Sequence, residues 1–368
     1  MDDARHARGI VVRYANTTTN RPGSHEKASR AWVAGRLAAL KGYEDGGEYE
    51  AATRYEGQLY FVPADTLVSV ETAHELGIRT EDDLFGGVVP YPFIATKAIT
   101  HPLLDAQAQS PEGWSHEFGR EVQDAILIGY AAFTPDDARR AGERILKGGP
   151  ARVKQSRGIG GRGQFMVTRA DELEAALNEI DPAELTRYGI VIEQHLEDVT
   201  TYSVGQVRVS DLRATYFGTQ RMTTGNDGEP VYGGSDLTIV RGDFDVLLGL
   251  DLPPEIRLAV QQALKYDAAV AQYFPGWLAS RRNYDIARGR DPGGQWRSGV
   301  LEQSWRVGGA SAAEVAALEA FRADPGLRAA RASTFEVHGE CEPPPQATIQ
   351  FAGVDERVGL ITKYSVIE

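Results

Sequence analysis

The chain has 368 residues, of which 42% are hydrophobic and 25% charged, a composition typical of folded globular proteins. This length predicts roughly two to three domains of about 150 residues. The 52 acidic and 39 basic side chains give a formal net charge of −13. This charge argues against general nucleic-acid binding, which depends on cationic side chains that displace counterions from phosphates.

Cysteine content and hydropathy exclude further classes of protein. Cys341 is the single cysteine, so an internal disulfide and a multi-thiolate metal site are both excluded. Its acidic neighbours Glu340 and Glu342 disfavour a reactive thiolate, which predicts a packing or surface thiol. No apolar run approaches the ~18 residues of a membrane span, and the N-terminus lacks the apolar core of a signal peptide. We therefore expect a cytoplasmic protein without a membrane partner.

The first ninety residues alternate strand and helix patterns. Short β-branched runs predict strands at 9–14 and 57–63, and helical spacing predicts helices at 24–40 and 68–76. A strand end or linker is expected at 88–93. This alternation predicts a small parallel α/β sheet.

The rest of the chain predicts a mixture of hairpins and helices. Thr134 and Pro135 open a helix that ends near 146. Strands are expected at 152–155, 164–167 and 189–194, with a helix at 168–180 between the last two. Farther on, strands at 202–209 and 213–219 form a pair, a helix spans 254–274, and strands at 282–287 and 298–303 are joined by a polar loop. A capping box at Ser311–Glu314 predicts a helix to about 321, and one or two strands follow 333.

A glycine-rich segment follows the strand that carries Lys154. Glycines without side chains let backbone N–H groups crowd against an oxyanion, and nearby cations strengthen such a site. The segment therefore predicts a phosphate-binding turn, formed by Arg157, Gly158, Gly160, Gly161, Arg162 and Gly163.

Several phosphate-binding motifs compete for this segment. The spacing Gly158-x-Gly160-x-x-Gly163 satisfies the dinucleotide fingerprint, but that motif requires a helix immediately afterwards, and 164–167 has a strand pattern. A dinucleotide-dependent oxidoreductase is therefore a minor alternative, which a helix beginning at Gly163 would favour. A Walker loop would need Lys and then Ser or Thr after the glycines, whereas this chain has Gln164 and Phe165 there. A protein-kinase loop has its lysine on the following strand, whereas Lys154 precedes the glycines. Neither motif therefore matches.

A lysine-bearing strand, a glycine hairpin, a helix and an apolar strand ending in Glu193 resemble the ATP-grasp superfamily. Further segments in the family's order are 202–205, 283–285 and 299–309, so the resemblance covers roughly residues 90 to 330. It implies an α/β (α+β) architecture: an N-terminal parallel α/β domain at 1–92, then an ATP-grasp domain whose two lobes hold the nucleotide between them. The implied first lobe is 93–197, with a glycine-rich lid region at 150–197, and the second lobe is 198–368.

The resemblance implies ATP as the nucleotide. Two lysines would contact its phosphates, the lid would cover them, and the linker after Glu193 would bind adenine, with Glu193 at the adenine amino group. Thr201 stands where the family often has an acid near the ribose, and Glu197 or Asp198 would substitute. The implied nucleotide-binding residues are Lys97, Lys154, Arg157, Gly158, Gly160, Gly161, Arg162, Gly163, Glu193, Gln194, His195, Leu196 and Glu197.

The resemblance also implies a Mg²⁺ site, with Mn²⁺ as the alternative metal. Asp285 and Glu302 match the family's carboxylate ligands, and carboxylate oxygens are the donors that Mg²⁺ prefers. Ser304 stands where the family's third ligand is an asparagine, so a second metal is less well supported. Arg306 matches an arginine that contacts a phosphate or a substrate carboxylate. Arg221 is a weaker candidate for contact with the transferred phosphoryl group.

These residues imply an ATP-dependent, ADP-forming ligase that activates a small-molecule carboxylate and joins it to an amine or a similar nucleophile. Arg306, Lys154 and Arg221 are the candidate catalytic residues. A small-molecule kinase and a nucleotide-binding module without catalysis are the alternatives, the latter because of Ser304 and Thr201. By base rate we expect a homodimer.

Overall fold

The computed structural model describes residues 9–16, 24–156 and 163–368. Its first unit is a parallel three-stranded sheet in the order β2-β1-β3, as the N-terminal pattern predicts. The elements are β1 (Ile10–Tyr14), α1 (His25–Lys41), β2 (Glu44–Glu48) and β3 (Leu59–Pro63). Strand β2 is not predicted from the sequence, because its acidic and glycine-rich residues have low β-propensity.

Local sequence defines the ends of α1 and its buried face. The Ser24 side chain accepts a hydrogen bond from the Lys27 N–H at the start, and Gly42 ends the helix in the left-handed conformation at φ 66°. Val33 and Leu37 are buried on one side of the helix, in the cluster that contains Val11 of β1. The same cluster includes residues of the C-terminal sheet, so α1 joins the first unit to the last.

A short connecting region leads to the four-stranded sheet described next. It contains β4 (Leu67–Val68), α2 (Val70–Glu75), β5 (Gly87–Val89) and α3 (His116–Glu121). The helix predicted at 68–76 is shorter than expected, because Leu67 and Val68 pair with β5. Two 3-10 turns, Pro92–Ala95 and Lys97–Thr100, follow β5 and bring Lys97 to the centre of the molecule.

The next part of the chain forms a four-stranded antiparallel sheet in the order β6-β9-β7-β8, with α4 and α5 packed on one face. Its strands are β6 (Gly129–Ala132), β7 (Ala151–Gln155), β8 (Gln164–Val167) and β9 (Ile190–Gln194). Its helices are α4 (Pro135–Leu146), α5 (Ala170–Asn178) and α6 (Pro182–Tyr188). The predicted hairpin, helix and apolar strand of this region are confirmed.

The third region is built on an eight-stranded sheet in the order β15-β14-β10-β11-β12-β16-β18-β17. Helix α8 packs on one face of this sheet, against β10, β14 and β15. Helix α9 packs on the opposite face together with α1. Its strands are β10 (Glu197–Val209), β11 (Leu212–Thr224), β12 (Pro230–Arg241), β14 (Arg281–Arg290), β15 (Trp296–Ser304), β16 (Ala329–His338), β17 (Thr348–Asp355) and β18 (Gly359–Ile367). Its helices are α7 (Phe244–Leu248), α8 (Pro254–Tyr273) and α9 (Ser311–Ala323), and a short strand β13 (Leu278–Ala279) pairs with β5.

Two expectations for this region are wrong. The tail forms three strands instead of one or two, because β16, β17 and β18 extend the large sheet beyond β12. No capping box opens α9: Ala310 is the cap, and the Glu314 side chain is buried against Arg281. An apparent capping residue is therefore part of a buried ion pair.

The α/β fold class is confirmed, and the domain boundaries near 92 and 197 stay predictions. Strand β13 belongs to the third predicted region, yet it completes a sheet with β4 and β5 of the first. Across the described residues, no helix is both long and apolar enough to cross a membrane.

Candidate active site

Two carboxylates face each other on neighbouring strands. Asp285 of β14 and Glu302 of β15 are direct partners in the antiparallel register. Burial, and after it the charge of Glu302, raises the pKa of Asp285 to about 6. Burial favours protonated Glu302, but Lys97, Lys154 and Arg306 together outweigh it and hold the pKa of Glu302 below its ordinary value. The pair concentrates negative charge at one point of the sheet.

Two lysines approach this pair, Lys97 from the connecting region and Lys154 from the four-stranded sheet. Lys97 Nζ lies 2.7 Å from Glu302 Oε2, and only 5% of the Lys97 residue is exposed. Lys154 on β7 is equally buried, and Lys154 and Arg306 both lower the pKa of Glu302. The structure thus brings both predicted lysines, both predicted acids and Arg306 together where Glu302 and Arg306 are partly exposed, and this site is called the cleft below.

Glu193 anchors Lys154 from the other side. Glu193 Oε1 lies 2.5 Å from Lys154 Nζ, and Oε2 lies 3.1 Å from His101 Nε2. Burial by itself would raise the pKa of Glu193, but Lys154 and His101 lower it to about 2. His101 is missed in the sequence because it lies 92 positions from Glu193 and belongs to no motif.

This lowered pKa predicts a pH-dependent contribution to stability. The usual pKa of a glutamate is about 4.3, so ionised Glu193 stabilises the fold above that pH, and the contribution is lost as the pH falls towards 2. We expect the difference in unfolding free energy between wild type and Glu193→Gln to be largest near neutral pH and to shrink below about pH 4. Urea unfolding of both proteins across this range measures it, and a pH-independent difference would contradict the assignment.

The residues after Glu193 join β9 to β10 and are called the linker below. The Gln194 N–H donates to Ile128 O, and the His195 N–H donates to Pro150 O. The Leu196 side chain is buried with Leu127, Ala287 and Leu301 in a small apolar cluster. Burial, then the nearby Arg152 guanidinium, lowers the pKa of His195. Glu197 is exposed at the start of β10. Adenine binding by this linker stays a prediction.

The described part of the glycine-rich segment is a hairpin. The Gln155 N–H donates to Gly163 O, and Gly163 has φ 71°, which a residue with a side chain rarely adopts. A strand, β8, begins directly at Gln164, so the helix that a dinucleotide fingerprint requires is absent at this position and the oxidoreductase alternative is wrong. The predicted lid residues Arg157, Gly158, Gly160, Gly161 and Arg162 lie outside the described residues.

Ser304 is bound to a guanidinium. Arg281 Nη1 donates to Ser304 Oγ at 3.2 Å, to Ser304 O at 3.1 Å and to Arg306 O at 2.7 Å. A hydroxyl that already accepts a cationic hydrogen bond is a poor metal ligand. Asn283, the cross-strand partner of Ser304, instead donates to Asp285 Oδ1 at 2.8 Å.

A buried network behind the acids is missed by the sequence analysis. Arg281 donates to both carboxylate oxygens of Glu314, at 2.8–3.1 Å. The Tyr216 hydroxyl lies 2.6 Å from Glu314 Oε1 and 2.9 Å from Asn283 Oδ1. The chain of contacts from α9 to Asp285 therefore fixes the acid pair and the loop that carries Arg306.

The two candidate arginines are placed differently. Arg306 follows β15, is about a quarter exposed, and lies 3.5 Å from Asp65 Oδ1 of the first unit. The Gln220 side chain on β11 forms a hydrogen bond with Asp285. Arg221 is the next residue on the strand, so its side chain projects from the opposite face of the sheet. It pairs with Asp236 and stacks on Phe335, 4.2 Å from the ring centre. The structure does not bring Arg221 to the cleft.

The donor set fits one Mg²⁺ ion. Asp285 and Glu302 supply hard carboxylate oxygens. Burial, and after it the charge of Glu302, raises the pKa of Asp285, and a bound dication would offset both effects. Among the described residues, no cluster of three or more His, Cys, Asp or Glu side chains is arranged for a metal. Such an ion would therefore complete its coordination with phosphate oxygens and water.

A family profile matches residues 12–365. The chain belongs to the family described as protein of unknown function (DUF3182). No curated protein matches it in sequence.

Solved structures show which fold this family has. The chain is similar to N5-carboxyaminoimidazole synthetase from Staphylococcus aureus complexed with ADP, with TM-score 0.57 and 11% identity over 99% of this chain and 93% of that one. It is also similar to carboxyaminoimidazole ribonucleotide synthase from Aspergillus clavatus complexed with ATP, with TM-score 0.52 and 13% identity over 98% and 94%. Because these are ATP-grasp enzymes, the ATP-grasp fold expected from the sequence is confirmed.

Proposed function

We propose that this protein is an ATP-dependent, ADP-forming ligase that activates a carboxylate as an acyl phosphate and joins it to an amine or a similar nucleophile. The observation that carries the proposal is the meeting of Lys97 and Lys154 from one lobe with Asp285 and Glu302 from the other. Cations close to a metal-binding acid pair are what a polyphosphate and its metal require. The similarity to synthetases solved with ADP or ATP supports the same proposal at the level of fold.

Each residue of the cleft has a role in this reaction. Lys97 and Lys154 exchange their carboxylate partners for phosphate oxygens and neutralise them. Arg306 follows the strand of Glu302 and orients the substrate carboxylate or the transferred phosphoryl group, which suits a planar guanidinium. The reaction needs positioning and charge neutralisation more than proton transfer, and no general base is assigned.

Asp285 and Glu302 would hold the Mg²⁺ ion. When bound, that ion supplies positive charge to the phosphates of ATP. Asn283 orients Asp285, and Arg281 supports the backbone at Ser304 and Arg306. Ser304 is assigned no metal because its hydroxyl is bound to Arg281.

ADP release in the presence of paired carboxylates and amines tests the proposal. We expect turnover to require ATP and both reactants, and Asp285→Asn or Glu302→Gln to reduce it at least about 100-fold, since each removes a ligand of the metal. Asp211→Asn is the matched control, because Asp211 is an exposed acid paired with Arg322. Full activity in both site variants would contradict the proposal.

The mass of the product separates the ligase from the kinase alternative. A ligase releases phosphate and leaves an acid joined to the acceptor, whereas a kinase leaves the phosphoryl group on the product. ADP binding without turnover for any pair of reactants, unchanged by Glu302→Gln, would instead favour the module without catalysis.

A further inference from the structure

A cavity of about 330 Å³ lies beside the linker, between the four-stranded sheet with α4 and the turn that joins β14 to β15. Its walls are the end of α4, the start of the linker and the turn between β14 and β15. At its rim the lobes are in close contact: Gly149 has φ 137°, and a Cβ there would lie 2.5 Å from Pro292 Cγ. The cavity is therefore shaped by both lobes, and its volume is at the lower end of the range for small-molecule sites.

This cavity is separate from the nucleotide cleft. Glu193 and Gln194 are adjacent on β9, so their side chains project to opposite faces of the sheet. Glu193 contacts Lys154 on the side of the cleft, whereas Gln194 lines the cavity. The same strand end thus borders both spaces.

The polar lining of the cavity favours an anion. Arg144, in the last turn of α4, has neither an ion pair nor a side-chain hydrogen bond to any described residue. Arg297 is held 2.8 Å from Asp291 Oδ2, so these three side chains carry a net charge of +1 in a chain whose total is −13. The Nε2 atom of Gln194 is buried without a hydrogen-bond partner, and an unmade buried hydrogen bond is costly.

Apolar side chains supply another part of the lining. Ile128, Ile145 and the ring of Pro292 line the cavity, as does Tyr130. A small ligand that combines one negative charge with a short hydrocarbon part matches this division.

We propose that the cavity binds a small organic monocarboxylate, and that its occupancy changes the affinity of the cleft for nucleotide. The carboxylate pairs with Arg144, and the Gln194 side chain turns its free amide towards the ligand. Because the backbone of Gln194 is itself among the groups expected at adenine, a ligand that restrains the Gln194 side chain acts on the nucleotide site as well. Any such coupling is reciprocal, so nucleotide changes carboxylate affinity by the same factor.

Calorimetric titration of the full chain with butyrate and benzoate, at constant ionic strength, tests the site without nucleotide. Butyramide and benzamide are matched probes that lack the charge. We expect the carboxylates to bind at least about tenfold more tightly than the amides, and Arg144→Gln to weaken them about tenfold, the effect of losing one charge-assisted hydrogen bond. Arg120→Gln, an exposed arginine of α3 paired with Glu117, should leave the affinity unchanged.

The outcomes are distinct. Equal binding of amides and carboxylates, or an Arg144→Gln protein that titrates like wild type, overturns the site. Carboxylate binding that leaves the ADP affinity within about twofold overturns the coupling. Failure of ADP to bind at all counts against the proposed function instead, since the carboxylate titration is made without nucleotide.

Discussion

Replacement of Glu314 by glutamine should lower the free energy of unfolding by about 3–5 kcal/mol. Glu314 is completely buried, and its carboxylate accepts three hydrogen bonds from Arg281, which is 1% exposed. The substitution keeps the shape of the side chain but leaves a buried guanidinium without a counter-charge. Removing one partner of a buried pair costs far more than the pair contributes, because the desolvation of the other charge is no longer offset.

Urea unfolding measures this loss, and α9 supplies the control. Glu319, on the same helix, pairs with Arg36, whose side chain is 47% exposed, so Glu319→Gln should cost less than about 1 kcal/mol. Similar losses of unfolding free energy in the two variants would contradict the larger contribution that we assign to the buried pair.

The double variant Arg281→Met, Glu314→Leu separates stability from catalysis. It removes both buried charges, and we expect it to recover most of the lost unfolding free energy. We expect the turnover of the double variant to be lower than that of wild type, because the carbonyls of Ser304 and Arg306 no longer accept hydrogen bonds from Arg281. Recovery of both stability and turnover would contradict a positioning role for Arg281.

Replacement of Lys154 by methionine should weaken ADP binding by about 10- to 100-fold. The estimate corresponds to the loss of one hydrogen bond between charged groups, worth roughly 1.5–3 kcal/mol. The fold should be less affected than by Glu193→Gln, because in the Lys154→Met protein Glu193 keeps its contact with His101, whereas Glu193→Gln leaves the buried Lys154 ammonium without its direct carboxylate partner.

Calorimetry with ADP and Mg²⁺ measures the change in affinity, and thermal unfolding of the same samples measures stability. Lys265→Met is the matched control, because Lys265 on α8 is exposed and pairs with Asp124. An unchanged ADP affinity in the Lys154→Met protein would remove Lys154 from the nucleotide site.

Local patterns in the sequence predicted most of the elements around the cleft. Alternating apolar residues and flanking turns located β7, β8, β9, β14 and β15, and the cap at Thr134 located α4. These patterns succeed because strand and helix periodicity depend on neighbours in the chain. They failed at β2, whose acidic and glycine-rich residues have low β-propensity but pair with β1 in the fold. They also failed at Glu314, whose side chain pairs with Arg281 and does not cap α9.

The sequence by itself determined that Lys154, Glu193, Asp285 and Glu302 lie at strand positions in the order of the ATP-grasp family. Only the tertiary structure decided that Lys97 pairs with Glu302 and His101 with Glu193, that Arg221 lies outside the cleft, and that Arg281 and Glu314 support the site. The reason is physical: strand periodicity is a property of adjacent residues, whereas the pairing of buried charges depends on which distant segments the fold brings together. Buried charges whose partners are distant in the sequence leave no local pattern, because a buried charge requires a nearby partner in the folded structure and that partner has no fixed spacing along the chain.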